Sequence, residues 1–127
     1  MFRIDNQSRQ AVYEQIVKQV EKYVLSGLLA SGDKMPSVRK LSVELNVNPN
    51  TVQRAYTELE RSGVIVTAPG RGAFVTELSL NVLREARRRI NLQKLDTVLT
   101  ELKVAGVEKE KILVIVQHVF EGGKIDD

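Results

Sequence analysis

Four polar side chains of this sequence, Asn50, Gln53, Arg54 and Thr57, recur at spacings of three and four residues. On a helix such residues share one face, and the apolar residues of the same stretch lie on the opposite face. Arginine pairs bidentately with guanine, and asparagine or glutamine with adenine, so this face could read the base edges of DNA. A polar face is equally typical of any helix at a protein surface, so the interpretation depends on the surrounding elements.

A second candidate for DNA contact is Arg71, which stands between Gly70 and Gly72 in a predicted turn. Flanking glycines let a backbone approach a duplex closely, and the guanidinium can then reach a phosphate or the minor groove. A turn alone explains the two glycines but not the arginine at its tip. A single solvated arginine in a turn is the alternative interpretation.

Further phosphate contacts are predicted at the first turns of two short helices. Thr51 follows Pro49 in the first turn of one of them, where unpaired backbone N–H groups and the helix dipole favour a phosphate. Capping of the helix is the alternative interpretation of this turn, and it is compatible with phosphate binding. Arg39 and Lys40 lie in the first turn of the helix before it and are weaker candidates, with surface solvation as the alternative.

Catalytic and metal chemistry find little support in the composition. The chain has no cysteine and one histidine, which argues against thiolate metal sites, disulfides and most histidine relays. Ser37 and Lys40 have the Ser-x-x-Lys spacing of some acyl-enzyme hydrolases, but no second motif of that class follows. We therefore expect no enzymatic activity, no metal and no cofactor.

The elements that would position these residues follow from periodicity and capping. Apolar residues at helical spacing predict a helix over residues 11–26, and Ser37 and Asn48 are predicted N-caps of two short helices ending near Asn46 and Gly63. Residues 28–36 are predicted to form a loop. Val64–Thr67 and Ala73–Thr76 predict a small hairpin, and two more helices are predicted over residues 80–105 and after Gly106.

This order predicts a mainly α fold with a small β-hairpin. Two short helices joined by a tight turn and followed by a hairpin are typical of a winged helix-turn-helix, whose second helix enters the DNA major groove. We expect residues 1–76 to form this DNA-binding domain and residues 77–127 to form a helical dimerisation tail.

The last predicted helix supplies the reason for a dimer. Its apolar residues lie on nearly every side, so one partner helix cannot cover them all, and a second copy of the chain would offer the missing surface. The alternative is an intramolecular core against residues 83–102. The predicted dimerisation residues are Ile112, Leu113, Ile115, Val116, Val119 and Phe120.

Charge and hydropathy agree with a soluble DNA-binding protein. Residues 1–76 carry ten basic and seven acidic side chains, whereas residues 77–127 carry nine of each, so the net charge of +3 arises in the first part. The N-terminus lacks the apolar region of a signal peptide, and no apolar stretch approaches the roughly 20 residues of a membrane span. We expect a cytoplasmic protein without membrane contact.

Three segments of the sequence, taken with their order and spacing, resemble the GntR family of bacterial transcription regulators: KMPSVRKL at 34–41, NPNTVQRAY at 48–56 and PGRGAFV at 69–75. The resemblance covers residues 8–76. The short two-helix tail is similar to that of the YtrA-like branch, whose members lack large effector-binding domains and often accompany genes for ABC transporters.

The resemblance also implies site residues and a mode of action. Family members bind pseudo-palindromic operators as dimers, and many relatives carry arginine where this chain has Pro49 and Gln53, so the contacts made there by relatives do not transfer directly. The family positions for phosphate and base contacts align here with Arg39, Asn50, Thr51, Gln53, Arg54, Arg71 and Gly72.

The sequence therefore predicts a homodimeric transcription regulator, with repression as the expected action. A winged-helix module that binds another protein and no nucleic acid is the alternative. A small-molecule effector is neither predicted nor excluded, because a two-helix tail offers room for a pocket only at an interface of protomers or domains.

Overall fold

The computed structural model describes residues 2–122 and contains five helices and one hairpin in that range. The elements in chain order are α1 (Val12–Ser26), α2 (Val38–Leu45), α3 (Pro49–Arg61), β1 (Ile65–Ala68), β2 (Gly72–Val75), α4 (Ser79–Val104) and α5 (Lys109–Phe120). They form two compact units, Met1–Arg87 and Arg88–Asp127. The units divide within α4, whereas the sequence predicts a domain boundary at residue 76, the residue after β2.

The first unit is a winged helix-turn-helix around one apolar core. Helix α3 packs against α1, α2 and β1, and β1 pairs with β2 in antiparallel register from Ile65 opposite Val75 to Ala68 opposite Gly72. The predicted mainly α fold with a small hairpin is confirmed. The buried apolar residues are Ile16, Val20, Val24, Met35, Leu41, Val52, Ala55, Tyr56, Leu59, Val64, Ile65, Val75 and Leu83.

The hairpin strands are displaced by one residue from the predicted ones. Val64 and Thr76 lie just outside the ladder, although the Thr76 N–H donates to the Val64 carbonyl at 3.0 Å. Residues 28–36 do not form a regular element, but part of this predicted loop joins the hairpin. The Met35 N–H donates to Ala73 O and the Val75 N–H to Asp33 O, so residues 33–35 extend the sheet beside β2.

The segment that precedes α1 is held to that helix by two glutamine side chains. Gln15 is buried, accepts the Asp5 N–H at 2.8 Å and donates to the carbonyls of Asp5 and Gln10, both at 3.0 Å. Gln19 accepts the Arg3 N–H and donates to the Arg3 carbonyl. Each of these side-chain amides both donates and accepts, as the backbone of a neighbouring strand would. The backbone groups that they contact therefore have hydrogen-bond partners.

The second unit has no buried side chain in α5. Among the residues of this unit up to 122, the best shielded apolar ones are half-buried, namely Leu99, Leu102, Val107, Ile112 and Ile115. Within α4, three apolar residues of this unit stay close to half exposed, Ile90, Leu95 and Val98. This unit therefore leaves much of its apolar surface open when considered as a single chain.

Candidate nucleic-acid interface

The turn between α2 and α3 is built by local hydrogen bonds. The Ser37 hydroxyl accepts the Lys40 N–H at 3.0 Å and starts α2, and Asn48 Oδ1 accepts the Asn50 N–H at 2.8 Å and starts α3. Between them Asn46 adopts a left-handed conformation with φ 54°, which asparagine tolerates better than most residues. The predicted caps of both helices are confirmed.

Tyr56 connects the inner face of α3 to the entry of α2. Its side chain is buried, and its hydroxyl donates to the Pro36 carbonyl at 2.6 Å. Burial raises the pKa of this phenol, and the negative charge of Glu44 raises it further. The neutral Tyr56 hydroxyl thus helps to hold the two helices of the motif in a fixed relation.

The outer face of α3 carries the predicted DNA-reading residues. Asn50, Gln53, Arg54 and Thr57 are all exposed, and Thr51 is half-buried. The Gln53 amide donates to the Thr57 hydroxyl at 3.3 Å, one helical turn away. The predicted polar face is therefore exposed, as contact with a base edge requires.

Arg54 makes a contact that sequence reasoning did not find. Its Cζ atom lies 3.8 Å from the ring centroid of Tyr13, so the guanidinium stacks on an aromatic side chain of α1. Tyr13 is one of the residues at helical spacing, with Ile16, Val17, Val20 and Val24, that predict a buried stripe on α1, whereas the structure leaves it half-buried with its ring against Arg54. No local signal links these residues, because they are far apart in the chain.

Glu58, one turn beyond Arg54 on α3, is paired with Arg61 of the same helix. Its carboxylate accepts from Arg61 at 2.7 Å. The pKa of Glu58 is lowered by that hydrogen bond, by the charge of Arg61 and by the charge of Arg54, and the pKa of Arg61 is raised in return. The Arg61 side chain is 73% exposed and that of Glu58 is 41% exposed, so water screens the pair and it contributes little to stability.

The wing presents Arg71 at its tip. The Arg71 N–H donates to the Ala68 carbonyl at 2.9 Å, and the side chain is exposed. Two hydrogen bonds tie the wing to the C-terminal end of α3: the Thr67 N–H donates to the Glu60 carboxylate at 3.0 Å, and the Thr76 hydroxyl, at the base of the hairpin, donates to the Gly63 carbonyl at 2.6 Å. Arg71 thus lies at the end of the hairpin opposite its junction with α3.

Gly72 lies against Lys34, a residue of the predicted loop over residues 28–36. Gly72 has φ 115°, and a Cβ atom there would be 3.0 Å from Lys34 Cε. Lys34 also lines an open cleft of about 530 Å³ together with Pro36, Ser37 and Lys40. Pairing of residues 33–35 with β2 thus brings a second cation beside the wing.

The predicted site residues fall into two groups by unit. Arg39 is exposed on α2, and Arg39, the α3 residues and the wing residues all belong to the first unit. The predicted dimerisation residues all lie on α5 in the second unit. Ile112 and Ile115 are half-buried there, and the others are exposed: Leu113 by 53%, Val116 by 42%, Val119 by 49% and Phe120 by 87%.

Two further observations concern residues 2–122 only. In this range no three His, Cys, Asp or Glu side chains are grouped so that they could hold a metal ion. No helix in the same range is long and apolar enough to cross a membrane.

The model of the family described as bacterial regulatory proteins, gntR family, matches residues 12–75, which include all three motif segments at 34–41, 48–56 and 69–75. The chain belongs to the GntR family. Over its whole length it is 38% identical to the HTH-type transcriptional repressor YtrA of Bacillus subtilis, and the match covers 100% of both chains. This agrees with the YtrA-like branch expected from the short tail, and the GntR relatives are transcriptional regulators and not enzymes.

Solved structures agree with this family assignment. A transcriptional regulator from Oenococcus oeni is 36% identical with a TM-score of 0.78, and the match covers 92% of this chain and 97% of that one. YtrA from Sulfolobus acidocaldarius, a GntR-family transcription factor, is 37% identical with a TM-score of 0.57 over 72% of this chain and 97% of that one. The GntR-family chain is therefore a transcriptional regulator with a winged helix-turn-helix.

Proposed function

We propose that this GntR-family regulator binds a pseudo-palindromic DNA operator as a homodimer and represses transcription. The observation that carries the proposal is the exposed polar face of α3, which projects from a helix whose opposite face is buried in the core. A recognition helix must be held rigidly and must present side chains with paired donors or acceptors to the groove. Similarity to YtrA, which is named a repressor, supports the sign of regulation.

The contacts divide by chemistry into base and phosphate contacts. Asn50, Gln53 and Arg54 carry amide and guanidinium groups that suit adenine and guanine edges. The remaining residues suit the phosphate backbone: Arg39 and Thr51 near the first turns of α2 and α3, and Arg71 and Gly72 at the wing. This division predicts which substitutions change sequence discrimination and which change overall affinity.

The second unit supports a dimer because α5 has no buried residue in a single chain. Phe120 is 87% exposed and Leu113 is 53% exposed, and such apolar surface is costly in water unless a partner covers it. A second copy is the partner that DNA recognition needs, because two half-sites about 34 Å apart require two recognition helices. We propose that the α5 residues Ile112, Leu113, Ile115, Val116, Val119 and Phe120 form the interface.

A selection from random DNA duplexes tests the DNA-binding proposal. We expect enrichment of sequences with two inverted half-sites, whereas enrichment of no sequence would contradict the proposal and favour a protein-binding winged helix. The selected operator then identifies the regulated genes by its genomic positions. On the resemblance to the YtrA-like branch we propose ABC-transporter genes among them, and operator copies that lie only upstream of other genes would argue against this.

Salt-titrated binding tests the contact assignment with two arginine variants. Arg54→Ala should weaken operator binding by about 1–3 kcal/mol and reduce discrimination between bases. Arg71→Ala should weaken all sequences alike and reduce the slope of log affinity against log salt by about 0.9, the value for one phosphate. Lys103→Ala is the control, because Lys103 is a cation of the second unit. If neither arginine variant differs from this control, the assignment is wrong.

The oligomeric state is tested by light scattering after size-exclusion chromatography. The wild-type chain of 14.3 kDa should elute with twice that mass. Leu113→Lys should reduce the mass to that of one chain, and Leu28→Lys should leave it doubled because Leu28, 56% exposed, belongs to the first unit. A wild-type mass of one chain at micromolar concentration would refute the dimer.

A further inference from the structure

The stacked pair of Arg54 and Tyr13 joins the outer face of α3 to the first turn of α1. The distance from Arg54 Cζ to the ring centroid is 3.8 Å, well inside the range of a cation–π contact. The two helices pack directly against each other, so the pair is a contact between elements of the same core. Arg54 itself remains exposed despite this contact.

The contact with Tyr13 leaves N–H donors of Arg54 available. An arginine over an aromatic ring typically uses the face of its planar guanidinium, whereas its N–H donors lie in the plane at the edge. Glu58, one turn further along α3, is engaged by Arg61 at 2.7 Å. The edge of Arg54 is therefore suited to a pair of acceptor atoms supplied from outside the protein.

Tyr13 is supported by the core on which α1 rests. Ile16 and Val20, on the same helix, are fully buried, and Tyr13 itself packs against the core while its ring meets Arg54. The neighbouring Gln15 secures the preceding segment by three hydrogen bonds. A half-buried ring on such a base has little freedom, so it can restrict the side chain that stacks on it.

We propose that Tyr13 is a positioning residue for DNA recognition, because its ring holds the Arg54 guanidinium in place before the operator binds. An arginine side chain loses considerable rotamer freedom when it is immobilised at an interface. The contact with Tyr13 already removes part of this rotamer freedom when the protein folds. Less rotamer entropy is therefore lost when DNA binds, and binding is less strongly opposed. This inference rests on the proposed DNA-binding function and adds a residue of α1 to it.

A double-mutant cycle on the selected operator tests the inference. Wild type, Tyr13→Leu, Arg54→Ala and the double variant are compared by fluorescence anisotropy of labelled duplex at one salt concentration. Tyr13→Leu should weaken binding about two- to fivefold, which matches a cation–π contact at an exposed site. In the Arg54→Ala background the same change should have no effect, because the ring then has no guanidinium to hold.

Two further measurements separate positioning from a general structural role. Tyr13→Phe retains the aromatic face and should bind as wild type does. This variant keeps the inference testable if Tyr13→Leu folds poorly. Tyr13→Leu removes no charge, so its slope of log affinity against log salt should equal that of wild type. Circular dichroism melting curves identify the temperature at which all variants are folded.

Each other outcome overturns the inference in a recognisable way. Equal weakening by Tyr13→Leu in both backgrounds would show that Tyr13 acts through the fold and not through Arg54. Weakening by Tyr13→Phe as large as that by Tyr13→Leu would assign the effect to the hydroxyl. If Arg54→Ala binds the operator as wild type does, the proposed role of Arg54 fails together with the inference. If Arg54→Ala weakens operator binding but Tyr13→Leu does not, the inference about Tyr13 is refuted while the role of Arg54 stands.

Discussion

Removal of the Tyr56 hydroxyl should weaken the first unit without changing its shape. In Tyr56→Phe the ring still fills the same buried volume, but the Pro36 carbonyl loses a donor at 2.6 Å. A hydrogen bond contributes about 0.5–1.5 kcal/mol net, and an acceptor left unpaired costs about 1–3 kcal/mol when it is fully buried. Because Pro36 is half-buried, water can reach part of this site, and we expect a loss of about 1–2 kcal/mol.

Urea denaturation followed by far-UV circular dichroism measures this loss. The chain has no tryptophan, so helix content is the more direct signal. With a slope of about 2 kcal/mol per molar urea, the midpoint should fall by about 0.5–1 M. All samples need the same protein concentration, because the proposed dimer would make apparent stability concentration-dependent. Tyr13→Phe, which also removes one hydroxyl, is the control, and an equal loss in both variants would refute the assignment to the Pro36 contact.

The difference in stability between wild type and Tyr56→Phe should depend on pH, and the raised pKa of Tyr56 fixes the sign of this dependence. Burial raises the pKa of Tyr56 in the folded chain above the value of about 10 for an unfolded tyrosine. Below pH 10 the phenol is neutral in both states, and its contribution to stability is complete. Above pH 10 the unfolded chain ionises first, so this contribution is lost as the pH rises towards the folded pKa. The stability gap between wild type and Tyr56→Phe should therefore narrow from pH 9.5 to 11, and a constant gap would contradict the reasoning.

Three further tests concern the packing and the turns of the first unit. Leu59→Ala removes a fully buried α3 side chain and should lower the free energy of unfolding by about 2–5 kcal/mol in urea titrations, and a loss below 1 kcal/mol would contradict its place in the core. Asn46→Ala should lower the free energy of unfolding by about 1 kcal/mol, because alanine is strained at the left-handed φ of 54°. Asn46→Gly should leave the free energy of unfolding nearly unchanged in the same measurement. Gly72→Ala should lower the melting temperature more than Gly70→Ala, because both positions have positive φ but only Gly72 has a close neighbour, Lys34 Cε at 3.0 Å. Equal shifts would show that the lysine stem moves aside freely.

Local features of the helix-turn-helix could be predicted from the sequence alone. Ser37 and Asn48 form their capping hydrogen bonds with residues two or three positions away, so the sequence order itself brings the partners together. The inward residues of α3 follow in the same way from the period of the helix. The strand ends of the predicted wing are displaced by one residue for a local reason. Val64 and Thr76 are β-branched although they lie just past the base of the hydrogen-bonded ladder, whereas Ala68 and Gly72 at its tip are not typical strand residues.

Contacts between distant parts of the chain were decided by the tertiary structure. Arg54 on Tyr13, Tyr56 on Pro36 and Gly72 against Lys34 depend on the angles at which helices and sheet pack, and no local pattern encodes those angles. The exposure of α5 was likewise decided by the tertiary structure. The sequence showed that this helix is apolar on nearly every side, but only the packed chain shows how much of that surface its own residues leave uncovered, because burial depends on which elements meet in space.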